Sequence, residues 1–147
     1  MLFCHPPNNK SYVQLVYENP VISLDVVATS IAVAGLSKSN DLDGVNLIPF
    51  LIDERNEEPH RALYWRFWSQ SAIREGKFKY LKFGNREFLF DVTSKEHETI
   101  NLIGQYPKVA EKMKKDLLLW STTLKNKELN LNGNTSEKEW FNYYFPK

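Results

Sequence analysis

The residues best suited to chemistry are the single cysteine and the histidine beside it. Cys4 and His5 have the residue types of a nucleophile and its base. Side chains of adjacent residues rarely point at each other, however, and Pro6 and Pro7 stiffen the chain directly after them. A single cysteine also excludes an internal disulfide. An independent enzyme that uses Cys4 is therefore the least favoured hypothesis.

The other two histidines lie among carboxylates, which raises the question of a metal site. A metal needs ligands that converge with defined geometry, and no HxxxH, HxH or paired-cysteine spacing occurs in the chain. We therefore predict no metal ligand and interpret "KEHE" as a solvated turn. The residues considered are His60 with Glu57 and Glu58, and His97 with Glu96 and Glu98.

The stretch from His60 to Phe83 interleaves aromatic side chains with cations. A single-stranded nucleic-acid platform needs its aromatics on one exposed face, with Lys and Arg following the backbone of the ligand. Strand alternation puts the aromatics of "ALYWRFW" on both faces, and 19 Lys and Arg nearly balance 18 Asp and Glu. We predict no nucleic-acid partner and favour packing within a sheet. Lining of a pocket remains open for Arg66, Trp68 and Gln70.

The segment "SLDVVATSIAVAG" has the pattern of a helix. Ser23 is expected as the N-cap and Gly35 as the left-handed stop. One apolar face follows helical spacing, and valines also lie off that face, so the helix needs cover on more than one side. The expected face is Leu24, Val27, Ala28, Ile31 and Ala34; the valines off it are Val26 and Val33.

The second half of the chain predicts an antiparallel meander followed by a helix. Short alternating segments are separated by turn signals at "REGK" and at Gly84-Asn85. Pro107 is a favoured first helical residue, and an apolar stripe continues from Val109 to Leu124. The predicted class is α+β, with a sheet of about four strands and a packed C-terminal helix.

The length and hydropathy of the chain limit the remaining classes. Its 147 residues suit one domain of ordinary size. No apolar run approaches the roughly 20 residues needed to cross a bilayer, so no membrane is expected. The start "MLFCHPPNNK" is not that of a secretion signal.

Six short motifs in order resemble the C-terminal part of a sulfatase, the family that hydrolyses sulfate esters with a formylglycine nucleophile. They are "ENPVISLDVVATSIAVAGL", "LDGVNLIPFL", "HRALYWRF", "AIREGKFKY", "FLFDVTSKEHETINL" and the closing helix to "LLLW". The resemblance runs from about residue 18 to residue 125. It implies that the helix from Ser23 is the last helix of a large α/β catalytic domain that this chain lacks.

The resemblance also implies a domain organisation. Residues 1–17 form an irregular segment, 18–55 the last helix and connector of the catalytic domain, 56–125 the C-terminal subdomain, and 126–147 a tail that packs back on the body. Full-length members use formylglycine and a divalent cation, calcium, and bacterial members are often exported. Against the motif Cys/Ser-x-Pro/Ala-x-Arg, "CHPPN" matches only at Cys4 and Pro6, with Asn8 in place of Arg. No cofactor is therefore expected in this chain.

Two functional hypotheses remain. In the first, the chain is a structural fragment of a sulfatase, inactive alone, whose partner is the missing N-terminal domain. In the second, it is a stand-alone binding module for a sulfated glycan or a protein partner. Sulfated carbohydrate or aryl sulfate is the expected substrate class of the parent. Possible contacts to its substrate cleft are His60, Arg66, Trp68 and Gln70.

Overall fold

The computed structural model describes residues 16–37, 41–67 and 70–124, together with positions 139 and 142. The chain divides into two compact units, the first ending at Leu63 and the second beginning at Tyr64. The elements in chain order are α1 (Leu24–Val33), α2 (Ile48–Leu51), β1 (Leu63–Phe67), β2 (Gln70–Glu75), β3 (Phe78–Phe83), β4 (Arg86–Asp91) and α3 (Pro107–Thr123). This composition confirms the predicted α+β class.

Helix α1 ends as predicted but begins differently. Gly35 follows it with a φ of +70°, the left-handed conformation that glycine adopts without steric cost. Ser23 lies directly before the helix, yet its side chain makes no capping hydrogen bond. Asp25 instead accepts a hydrogen bond from the backbone N–H of Ile22 with its Oδ2, at 2.9 Å. The side-chain acceptor for a backbone N–H at this end is therefore the Asp25 carboxylate and not, as predicted, the Ser23 hydroxyl.

The buried face of α1 shares only Ala28 with the face that the apolar spacing predicted. Asp25 and Ala28 are its buried residues, whereas Leu24 and Val27 are about half exposed, at 49% and 50%. The prediction failed because α1 is apolar on nearly every side, so spacing alone cannot select the face that packs within this chain.

The sheet is the predicted meander, with strand order β1-β2-β3-β4. Strands β2 and β3 pair antiparallel with Ile73 opposite Tyr80, and β3 and β4 pair antiparallel with Tyr80 opposite Leu89. Gly76 and Gly84 have positive φ values of 54° and 53° in the two tight turns, as hairpin turns require.

Helix α3 covers one face of this sheet. Directly opposite residues share a face, so Ile73, Tyr80 and Leu89 form one row, and each is fully buried. Helix α3 packs against β2 and β3, where Met113 and Leu117 are buried. We call this side of the sheet the helix face and the opposite side the groove face.

The outer edge of β4 is capped by the segment that follows it. The side chain of Asn101 accepts a hydrogen bond from the Leu89 N–H at 3.0 Å and donates one to the Glu87 carbonyl at 3.2 Å. The Leu102 N–H donates to the Leu89 carbonyl at 2.7 Å. These bonds occupy edge groups that could otherwise pair with another chain.

Several expectations concern parts of the chain outside the described residues. The segment containing Cys4 and His5 lies there, as does the tail after residue 124 apart from positions 139 and 142. The four-part domain assignment stays a prediction. Within the described part of the chain, no helix combines the length and apolarity that crossing a membrane requires.

Candidate functional site: a buried carboxylate and a sheet groove

The most constrained polar residue of the first unit is Asp25. Its side chain is 0% exposed, and His60 Nε2 lies 2.9 Å from each of its two carboxylate oxygens. The Val45 N–H donates to Oδ1 at 2.8 Å, in addition to the Ile22 N–H at Oδ2. Four polar contacts on one carboxylate join the start of α1 to two segments distant in sequence. We call Asp25, Val45 and His60 the carboxylate hub.

Hydrogen bonding outweighs burial in setting the ionisation of Asp25. Burial is the largest single influence and raises the pKa of this carboxyl. The backbone amides of Ile22 and Val45 and the His60 ring act in the opposite direction, and together they hold the pKa below its ordinary value. Asp25 is therefore an anion whose lone pairs are taken up by the protein.

The loop after α1 fits the hub because it approaches the helix very closely. A Cβ on Gly44 would lie 2.1 Å from the Leu24 carbonyl oxygen, so only glycine fits. One turn along α1, the Thr29 hydroxyl accepts from the Leu47 N–H at 3.0 Å and reaches the Val45 carbonyl at 3.5 Å. Thus the carboxylate and hydroxyl at adjacent turns of α1 fix the backbone of "DGVNL".

The hub is suited to positioning rather than to catalysis. Asp25 has no exposed surface from which to meet a substrate, and the side chain of His60 is only 12% exposed. A general base must reach the proton that it abstracts, and the His60 nitrogen in the hub faces Asp25. The hub holds His60 and the "DGVNL" loop against the start of α1.

The second feature is a groove on the groove face of the sheet, in the second unit. Its volume is about 400 Å³, within the size range of small-molecule sites. Trp65 and Phe67 line it and are 39% and 61% exposed. We call it the sheet groove and define it by six lining residues: Trp65, Phe67, Gln70, Arg74, Lys79 and Glu98.

The cations of the sheet groove differ in their surroundings. Lys79 Nζ donates to both carboxylate oxygens of Glu98, at 2.8 and 2.7 Å. Arg74 Nε donates a long 3.5 Å hydrogen bond to the Gly76 carbonyl. Among the described residues, no carboxylate lies within ion-pair distance of Arg74. Within the described part of the chain, Arg74 therefore gives the groove one positive charge without a carboxylate partner.

The structure distributes the four predicted cleft residues among different surroundings. His60 belongs to the carboxylate hub, and Gln70 lines the sheet groove. Arg66 alternates with Trp65 and so shares the helix face with Tyr64, whose ring stacks on Trp120 of α3 at 5.2 Å. Trp68 lies outside the described residues. Their proposed role at a substrate cleft stays a prediction.

Several residues of these features were not among the predicted candidates. Asp25 could not be recognised from its local sequence, because its main partners lie 20 and 35 residues away. Trp65 and Phe67 were correctly expected on one side of β1, but alternation cannot tell which side stays open.

The predicted absence of a metal site concerns residues that the structure does describe. Around "KEHE", Glu98 pairs with Lys79, and His97 has a positive φ of 48°. No group of three or more His, Cys, Asp or Glu side chains that could hold a metal occurs within residues 16–37, 41–67 and 70–124.

The fold of this chain is similar to part of several solved proteins. No protein-family model and no curated protein matches the sequence. Among solved structures, Ps i-CgsB has a TM-score of 0.63 at 24% identity over 88% of this chain, and it has also been solved with k-i-k-neocarrahexaose. A 2-O GAG sulfatase has a TM-score of 0.60 at 23% identity over 67% of this chain. A candidate sulfatase from Bacteroides thetaiotaomicron gives 0.61, also at 23% over 67%.

These matches show the fold. The chain folds like a part of these sulfatases, and the match is consistent with their C-terminal part. It spans only 24% of the length of the two sulfatase chains and 30% of Ps i-CgsB. Activity, cofactors and substrates of such whole proteins are therefore not properties that this chain has been shown to have.

Proposed function

We propose that this chain is the C-terminal part of a sulfatase and acts as a structural subdomain. It packs on a catalytic domain, helps to shape the substrate cleft and has no turnover by itself. The catalytic domain supplies formylglycine and a calcium ion. The substrate class is a sulfated saccharide or an aryl sulfate, in keeping with a 2-O GAG sulfatase and a neocarrahexaose complex among the structural neighbours.

The observation that carries this proposal is the uncovered aliphatic surface of α1. Val26, Val27 and Val33 are 57%, 50% and 71% exposed on this ten-residue helix. Monomeric proteins rarely leave contiguous apolar patches of this kind open to water. An α/β catalytic domain whose last helix is α1 would cover these valines. We call Val26, Val27 and Val33 the valine flank.

The carboxylate hub gives the first unit a defined arrangement around α1. Because Asp25 holds both the "DGVNL" loop and His60, the chain that leaves α1 returns to it before the first strand. The loop and His60 are thereby held to α1, which in this proposal packs on the catalytic domain. A cleft wall built from these residues would keep its geometry during turnover, as precise positioning of substrate requires.

The test is sulfatase turnover on an aryl sulfate with added calcium, for this chain and for the longer product encoded with its upstream DNA. We expect activity only in the longer product. There, Val27→Asp should reduce turnover at least about tenfold, because an unpaired carboxylate buried in an interface costs several kcal/mol. Leu119→Asp, which changes a 69% exposed leucine on α3, is the matched control and should leave turnover nearly unchanged.

The isolated chain provides the opposite readout. Sedimentation velocity should show self-association of the 147-residue chain that Val27→Asp reduces, because the charge makes the valine flank soluble. Turnover by the isolated chain would contradict the proposed inactivity. Full activity of Val27→Asp in the longer product would show that the valine flank is not the packing surface.

A stand-alone binding module for a sulfated glycan is the second candidate function. The sheet groove favours it, since aromatic and cationic residues lie together on an open surface within this chain. A module of this kind should be monomeric as the isolated chain, which sedimentation would reveal. The structural-fragment function is preferred because a self-sufficient module has no use for an exposed valine flank.

A further inference from the structure

We propose that the sheet groove binds one sulfated sugar unit, with Trp65 stacking on the ring and Arg74 holding the sulfate ester. The inference rests on the proposed function for its ligand class and adds a binding site within this chain. The other groove residues assist: Gln70 can exchange hydrogen bonds with hydroxyl groups, and Phe67 extends the apolar platform.

The exposure of the aromatic rings is the first argument. Tyr64 and Trp65 are neighbours on β1, yet Tyr64 stacks on Trp120 while Trp65 remains 39% exposed in the groove. Helix α3 thus packs on the aromatic ring of Tyr64, whereas aromatic surface stays exposed on the groove face. Large rings with one open side are suited to flat, partly apolar ligands that also carry polar groups, as saccharide rings do.

The charge of the groove is the second argument. Lys79 and Glu98 neutralise each other, so Arg74 determines the sign of the site. A guanidinium presents donors in a planar fork that matches a tetrahedral oxyanion through two parallel hydrogen bonds. One uncompensated arginine beside an aromatic platform fits a single sulfate ester on a sugar. A nucleic-acid strand would instead require a row of cations.

The contrast with the valine flank is the third argument. The flank consists of aliphatic side chains, and the neighbouring exposed hydroxyl of Ser30 already donates to the Val26 carbonyl at 2.8 Å. A protein core would accept such a surface. The sheet groove instead combines an amide, a guanidinium and a carboxylate with its two rings. Dry packing of another domain there would bury an unpaired charge, which is strongly unfavourable, whereas a sulfate ester would balance it.

The experiment measures binding of a sulfated neocarrahexaose and of its chemically desulfated form to the 147-residue chain by equilibrium dialysis. We expect the dissociation constant of the sulfated form to lie below about a millimolar and that of the desulfated form to be about tenfold higher. The reason is that a hydrogen bond to a charged group strengthens binding by about tenfold or more. Inorganic sulfate should compete only weakly, because it lacks the ring that Trp65 contacts.

Substitutions of the groove residues test whether the saccharide binds in the sheet groove. Arg74→Gln should raise the dissociation constant of the sulfated form about tenfold and abolish the preference over the desulfated form. Trp65→Ala should weaken both forms alike, by about tenfold if stacking on a sugar resembles stacking on a base. Lys108→Gln, on the exposed side of α3, is the matched control for lost positive charge and should change neither constant.

Defined outcomes would overturn the inference. They are absence of binding at millimolar saccharide, equal affinity for both forms, or unchanged affinity in Arg74→Gln. If Trp65→Ala does not fold, Arg74→Gln alone decides, because Arg74 is half-exposed and lies outside the core. None of these results bears on Val27→Asp in the longer product, so failure of the groove and failure of the structural role are separable.

Discussion

Helices α1 and α3 belong to one chain and follow opposite rules of burial. Helix α3 buries Met113 and Leu117 and directs its lysines outward, where Lys112 and Lys115 form ion pairs with neighbouring carboxylates. Helix α1 buries the charged Asp25 and exposes Val27 and Val33. Helix α3 therefore has the partner for which its apolar stripe is suited, the sheet of its own unit. Helix α1 has polar partners within the chain, while its valine side chains are exposed.

The difference shows that the apolar pattern of a helix and its burial need not agree. The apolar stripe of α3 coincides with its buried side, whereas the valines of α1 stay exposed. The energetic support of the two units differs in consequence. A row of fully buried apolar residues stabilises the second unit, whereas the first combines buried apolar residues such as Leu47 and Phe50 with a buried, hydrogen-bonded carboxylate.

The largest expected effect follows from removing the carboxylate hub. Asp25→Ala leaves the amides of Ile22 and Val45 and the His60 ring without their acceptor, and breaking a buried ionic contact from one side costs about 3–5 kcal/mol. Hydrogen exchange at the Val45 amide should accelerate accordingly.

Tryptophan fluorescence gives the internal control for Asp25→Ala. All four tryptophans lie beyond Leu63, at positions 65, 68, 120 and 140, so their emission follows the second unit. The denaturation midpoint from fluorescence should change far less than the protection of Val45. Equal loss in both readouts would contradict the assignment of the hub to the first unit alone.

The second prediction compares one alanine substitution on each of the two helices. Met113→Ala on α3 removes a side chain that is 1% exposed and should cost about 2–5 kcal/mol. Val33→Ala on α1 removes one that is 71% exposed and should change the free energy of unfolding by less than about 0.5 kcal/mol. Both values come from denaturant unfolding of the 147-residue chain.

The same two substitutions should have different effects in the longer product. If the valine flank is covered there, Val33→Ala should become destabilising by about 1 kcal/mol or more, as expected for a valine truncated in a packed environment. The cost of Met113→Ala should stay the same. A Val33→Ala cost that is equally small in both proteins would mean that α1 remains uncovered.

Much of the second unit could be predicted from its sequence because its determinants are local. Gly76 and Gly84 mark hairpin turns, Pro107 starts α3, and alternation assigns Tyr64 and Trp65 to opposite sides of β1. Each of these signals depends on a few neighbouring residues and on backbone geometry that glycine or proline favours. The order of the six motifs also predicted the fold of a sulfatase C-terminal part, and the similarity to solved structures supports that fold.

The first unit and the sites were less predictable because their determinants are distant. The orientation of α1 depends on the contact of Asp25 with His60, and no periodicity encodes a contact across 35 residues. The need for glycine at Gly44 comes from the Leu24 carbonyl, which only the folded chain brings near. The sheet groove required knowing which face α3 leaves open, and α3 begins well after β1 in sequence.

The smallest expected effect is a pH dependence that separates the two units. The folded-state pKa of Asp25 lies below the ordinary value of 3.8, because hydrogen bonds from two amides and His60 outweigh the opposing effect of burial. Its contribution to stability is therefore fully present above that ordinary value and is lost as the pH falls through the folded-state pKa. Asp91 in the second unit behaves likewise, since the hydroxyl of Thr93 and then Lys77 lower its pKa to about 2.

Substitution of one carboxylate at a time tests this separation. Between about pH 5 and about pH 3, Val45 amide protection should fall less steeply in Asp25→Asn than in the unsubstituted chain, since the variant lacks the carboxyl that takes up a proton on unfolding. Asp91→Asn should instead flatten the pH dependence of the fluorescence-detected midpoint. If each variant altered both readouts equally, the two units would unfold as one. The contrast between α1 and α3 would then concern only which side chains are exposed, and the two units would not differ in stability.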